Sequence, residues 1–72
     1  MMNPLTLLRS SLGWTQEHMA EDLKVSQPHI SESEADHNPL GVDLCIRIYD
    51  QHRVQLGSLG ISLEDLVRWG RG

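Results

Sequence analysis

Few side chains in this 72-residue chain could do chemistry beyond binding. They are four histidines (His18, His29, His37 and His52), one cysteine (Cys45) and scattered hydroxyls and carboxylates. A nucleophile would need a neighbouring base and a third group to orient it, and no local Ser-His-acid pattern supplies one. Metal binding would need ligands at fixed short spacings. His18, His37 and His52 lack them, and a single cysteine excludes both a cysteine-cluster zinc site and an internal disulfide. There is no glycine-rich phosphate loop. The sequence is therefore not expected to be an enzyme, and no cofactor or metal is expected. What stands out instead is a short polar run, Ser26-Gln27-Pro28-His29-Ile30-Ser31-Glu32, with a single large apolar residue in it.

The elements that must position that run are helical, because apolar residues recur at helical spacings between short breaks. Asn3 caps a first helix with Pro4 in its first turn. Leu5, Leu8 and Leu12 line one face, and Gly13 ends it. Thr15 caps a second helix, with Met19, Ala20 and Leu23 inside and Glu17 suited to the positive end of the dipole. Lys24-Val25-Ser26 breaks that helix, and Ser26 caps a third. Asp36-His37-Asn38-Pro39 reads as a loop. A long fourth helix from about Val42 to Gly57 or Gly60 carries a broad stripe of Val42, Cys45, Ile46, Ile48, Tyr49, His52 and Leu56. Cys45 on that stripe reads as a buried small hydrophobe. Ser62 caps a fifth helix with Leu63, Leu66, Val67 and Trp69 on its apolar side, and the terminal Gly-Arg-Gly is expected to fray. The expected fold class is all-α, with five short helices in one domain over residues 1–72.

Composition bounds the function. Hydrophobic residues make up 39%, which suits a folded domain rather than a disordered tail. No apolar run approaches the ~20 residues that cross a bilayer, and no secretory signal is visible. A cytoplasmic protein without a membrane partner is the expectation. Net charge is −4, from 6 Lys and Arg against 10 Asp and Glu. Through Leu40, only Arg9 and Lys24 oppose Glu17, Glu21, Asp22, Glu32, Glu34 and Asp36. The remainder is balanced. Such a charge opposes sequence-blind binding to nucleic acid, which depends on neutralising phosphates.

The residue pattern is more specific than the helix count. Leu8-Arg9, Leu12-Gly13-Trp14-Thr15-Gln16-Glu17, Met19-Ala20, Leu23, Val25-Ser26-Gln27, Ile30-Ser31 and Glu34 resemble the lambda-repressor-like helix-turn-helix family of Xre or Cro type. The family's common run is L-G-x-T-Q-E-x-x-A-x-x-L-G-V-S-Q-x-x-I-S-x-x-E. The resemblance spans roughly residues 5–50, and Leu59-Gly60-Ile61-Ser62-Leu63-Glu64-Asp65-Leu66 looks like the family's closing segment.

That resemblance implies a lambda-repressor-like domain with its helix-turn-helix at about residues 15–35 and a C-terminal dimerisation segment at about 42–70. It implies an ion pair between Arg9 and Glu34, and contact with double-stranded DNA by Thr15, Gln16, Ser26, Gln27, Pro28, His29, Ser31 and Glu32. Gln16 would hold a phosphate, while Gln27 would bridge adenine and Glu32 would accept from cytosine. Dimer contacts would come from Leu56, Leu59, Ile61, Leu63, Leu66, Val67 and Trp69. The implied function is a homodimeric, sequence-specific repressor on an inverted-repeat operator. Such proteins autoregulate small phage, plasmid or mobile-element operons, Cro-like or anti-CRISPR-associated regulators among them. The alternative is an antitoxin-like protein-interaction module on the same fold, turning an acidic third helix to a basic partner.

Three departures from the family pattern carry physical consequences. Lys24 stands where a turn glycine is usual, at a cost of about 1 kcal/mol if its backbone is left-handed. Ser33 replaces an apolar residue, which should loosen the anchoring of the third helix. Glu32, Glu34 and Asp36 make that helix's end acidic, and repulsion from phosphate reaches about 8 Å at physiological salt.

Overall fold

The punctuation residues set the helix starts. In a computed structural model, which describes residues 3–37 and 39–70, the Asn3 side chain accepts from the Thr6 N–H and opens α1, Pro4–Leu12. The Thr15 hydroxyl accepts from the His18 N–H and opens α2, Gln16–Leu23. The Ser26 hydroxyl accepts from the His29 N–H and opens α3, Gln27–Glu34. α4 is Val42–Gln51, α5 Arg53–Ser58 and α6 Leu63–Gly70. No strand occurs among the described residues. No helix there is long and apolar enough to cross a membrane.

Among the described residues there are six helices, not five. The expected fourth helix breaks at His52, whose backbone leaves the helical region (φ −125°, ψ 32°). Its imidazole Nε2 lies 2.9 Å from Asp22 Oδ2 on α2. No proline or glycine marks the break. The redirected chain lets Leu56 of α5 turn fully into the core.

One core joins both halves of the sequence. Leu5 and Leu8 of α1, Met19, Ala20 and Leu23 of α2, and Ile30 of α3 meet Leu44, Cys45, Ile48, Leu56 and Leu66. The radius of gyration, 10.7 Å, agrees with the ~11 Å expected of a compact chain this long. Residues 42–70 therefore complete this core rather than standing apart from it. Each helix alone is too short to persist in water, so this shared burial holds them.

The stripe of α4 differs from the expected one. Leu44, Cys45 and Ile48 point inward, whereas Val42 and Ile46 are each 42% exposed. Cys45 is buried and its Sγ contacts the Leu66 carbonyl at 3.4 Å. Burial alone pushes its thiol pKa up. Gly70 is not frayed; it is the buried last residue of α6, and its carbonyl accepts from the Gly41 N–H at 3.2 Å. A Cβ on Gly70 would collide with Cys45 Sγ, so only glycine fits this crossing of α6 over α4. Arg71 and Gly72, the rest of that expected frayed end, lie outside the described residues, as does Asn38 of the expected loop.

Candidate nucleic-acid interface

The turn between α2 and α3 is only Lys24, Val25 and Ser26. Lys24 takes the left-handed conformation (φ 59°, ψ 44°), and its N–H closes on the Ala20 and Glu21 carbonyls. A glycine would hold this turn without strain; the lysine bears a cost of about 1 kcal/mol. Ala20 is 3% exposed. With no bulk at that position, α2 and α3 can pack closely, while Ile30 fills the core beneath them.

α3 then presents a polar surface. Gln27, Pro28 and Glu32 are exposed and Ser31 is half-buried, while Ile30 and Ser33 face inward. Ser33 is fully buried, and the backbone there is tied down from another helix. The Asn3 side-chain N–H₂ donates to the Ser33 carbonyl at 3.2 Å and the Glu34 carbonyl at 2.7 Å, and reaches Asp36 Oδ1 at 3.3 Å. One asparagine thus caps α1 with its oxygen and ties down the end of α3 with its nitrogen. The capping signal at Asn3 was legible; the second use of the same side chain had no sequence signal.

A linked set of polar side chains underlies the exposed start of α3. Arg9 Nε donates to Glu34 Oε2 at 2.6 Å and Nη2 to Oε1 at 3.0 Å, a forked pair with the Glu34 side chain 8% exposed. Arg9 Nη1 also donates to the Trp14 carbonyl at 2.8 Å. The bond to Glu34, with its charge, holds the Arg9 pKa above the usual value against opposing burial. Gln16 Nε2 donates to the same Glu34 Oε1 at 3.2 Å, and Gln16 Oε1 accepts from Gln27 Nε2 at 2.9 Å. The Arg9–Glu34 pair therefore fixes Gln16, and Gln16 fixes Gln27. One N–H of Gln27 is spent on this contact, leaving its carbonyl oxygen and second N–H for an adenine edge.

No family model matches the chain, and neither a curated protein nor a solved structure proves similar to it. The geometry of these side chains therefore carries the functional reading by itself.

The structure brings Thr15, Gln16, Ser26, Gln27, Pro28, Ser31 and Glu32 to the exposed ends and outer side of the α2–α3 pair. Thr15 and Ser26 use hydroxyl oxygens as caps, yet each keeps a hydroxyl proton to donate. His29, expected to face outward, is only partly turned to solvent. It is half-buried, and its Nε2 is buried without a hydrogen-bond partner. As placed, that nitrogen cannot meet a base edge. Trp14, half-buried at the start of α2, stacks on His18 at 4.3 Å and meets His52 edge-on at 5.5 Å. Among the described residues no three metal-ligating side chains converge.

The expected dimerisation residues divide. Leu56 and Leu66 are fully buried in the core of a single chain, so neither can meet a second copy. Leu59, Ile61, Val67 and Trp69 are partly buried against that core, and Leu63 is half-buried. Trp69 Nε1 donates to Asp36 Oδ1 at 2.9 Å, and the two border a groove of about 460 Å³ with Pro4, Leu7, Ile61 and Asp65.

Proposed function

We propose that this chain is a DNA-binding repressor of lambda-repressor-like helix-turn-helix architecture, with α3 lying in the major groove. The observation that carries the reading is the polar relay from Arg9 through Glu34 and Gln16 to Gln27. A relay of this kind spends side-chain order on aiming an exposed amide, which a purely structural helix pair does not need. Gln27 would read adenine from the start of α3, with Ser31 and Glu32 one turn on. Thr15, Gln16 and Ser26 would hold phosphates at the helix starts. His29, with Nε2 buried, would meet DNA only through Nδ1.

Two copies with their α3 helices about 34 Å apart would read the half-sites of an inverted repeat. Occlusion of a promoter would follow, with the protein's own upstream region the first operator to try. The excess of acid makes recognition depend on base contacts more than on general attraction, so non-specific affinity should be low.

The alternative, a protein-interaction module with an acidic α3, has less to stand on. Glu34 is paired with Arg9, and Asp36 already accepts from Trp69 and Asn3. Footprinting across the upstream region separates the two. Protection of two half-sites one helical turn apart supports the repressor; no protection at any concentration, with a basic protein retained, favours the module.

A further inference from the structure

The surface left for a second copy is not the expected one. Besides Leu56 and Leu66 being buried, the groove beside Trp69 is lined by Asp36, Asp65 and Arg68, and Arg68 is already held by Glu64 at 2.6 Å. With Arg68 engaged by Glu64, two such grooves placed face to face would bring an excess of acid together, which disfavours pairing.

The outward face of α4 is different. Val42 and Ile46, one turn apart, are among the large hydrophobic residues left exposed. Beside them, Asp43 and Arg47 lie at the same spacing and have no partner among the described residues. Further along, Asp50 and Arg53 already pair at 3.3 Å. The face is thus neutral, with one apolar pair and one opposite-charge pair both spaced four residues apart.

That pattern is self-complementary. We propose that α4 pairs antiparallel with α4 of a second copy about a two-fold axis crossing between Val42 and Ile46. Each Val42 then meets the other copy's Ile46, and each Asp43 the other copy's Arg47, in the reciprocal manner of a two-fold interface. The inference rests on the repressor reading for its purpose, but its geometry does not depend on DNA. A ten-residue helix is only ~15 Å long, so the contact falls short of the ~1,200 Å² typical of stable interfaces. A weak dimer follows, with a dissociation constant on the order of 10–100 μM, which two adjacent half-sites would reinforce.

Sedimentation velocity over about 5 to 500 μM brackets that estimate. Wild type should pass from monomer to dimer. Asp43→Arg should weaken dimerisation about tenfold or more, by setting like charges across the axis. Adding Arg47→Asp should restore it, because the exchanged pair is again complementary. Helical circular dichroism checks that both variants fold. A wild type that stays monomeric throughout overturns the proposal, as does Asp43→Arg dimerising like wild type. A wild-type dimer that responds to these exchanges yet protects no DNA upholds the interface and defeats the repressor reading instead.

Discussion

Removing Arg9 should do more damage than deleting one contact. Arg9→Ala takes two hydrogen bonds from Glu34 and one from the Trp14 carbonyl. It leaves a carboxylate that is 8% exposed with Gln16 as its remaining donor at 3.2 Å. Breaking a fully buried pair from one side costs about 3–5 kcal/mol, because the remaining charge stays desolvated. The Arg9 side chain is 21% exposed, so water can reach part of the space it vacates and the cost falls to about 2–4 kcal/mol. For a chain this size that is a loss of about 10–25 °C in melting temperature. Glu34→Gln should cost less, about 1–2 kcal/mol, since an amide oxygen still accepts from Arg9 while the charge assistance is lost. In a double-mutant cycle with alanines, Arg9 and Glu34 should couple by about 1–3 kcal/mol. Urea denaturation followed by far-ultraviolet circular dichroism measures all four states. An Arg9→Ala protein within about 0.5 kcal/mol of wild type, or no coupling, would refute the claim that this pair organises α1, α3 and the relay to Gln27.

Other outcomes follow from single positions. Lys24→Gly should raise stability by about 0.5–1 kcal/mol in chemical denaturation, since it relieves a left-handed lysine against some extra freedom in the unfolded chain. Gly70→Ala should lower stability by about 1–3 kcal/mol, the overpacking against Cys45 outweighing alanine's better helix propensity; Cys45→Ala in the same chain should recover part of that loss. The Asp65 carboxyl is held below its usual pKa by the Ser62 N–H and hydroxyl. Its lowered folded pKa contributes stability above the ordinary carboxylate range, which disappears as pH falls through that range and below it. Acid titration of Asp65→Asn should accordingly show a shallower loss of α6 helicity than wild type.

The capping residues made the first three helix starts readable, because Asn3, Thr15 and Ser26 act within a few residues of their own positions. The Arg9–Glu34 pair, implied by family resemblance, is present at 2.6 Å. Long-range choices were less legible. The expected stripe from Val42 to Leu56 left out Leu44; tertiary packing turns Leu44, Cys45 and Ile48 inward and leaves Val42 and Ile46 exposed. At the break, His52 meets Asp22, thirty residues earlier, a contact no local pattern announces. Ser33 looked like a weak anchor because its side chain is polar, yet its carbonyl is what Asn3 holds. Leu56 and Leu66 read as surplus in the sequence because nothing local shows α5 turning inward. His29 looked outward because one helical turn does not reveal where a ring nitrogen ends.

The relay matters only if the amide it aims at meets a base. Quantitative footprinting of wild type and Gln27→Ala on the upstream region of the chain's own operon tests this most directly. Wild type should protect paired half-sites, and the variant, equally folded, should bind about 1–3 kcal/mol more weakly, with discrimination lost at one adenine in each half-site. Equal affinity and an unchanged footprint for Gln27→Ala would contradict the account.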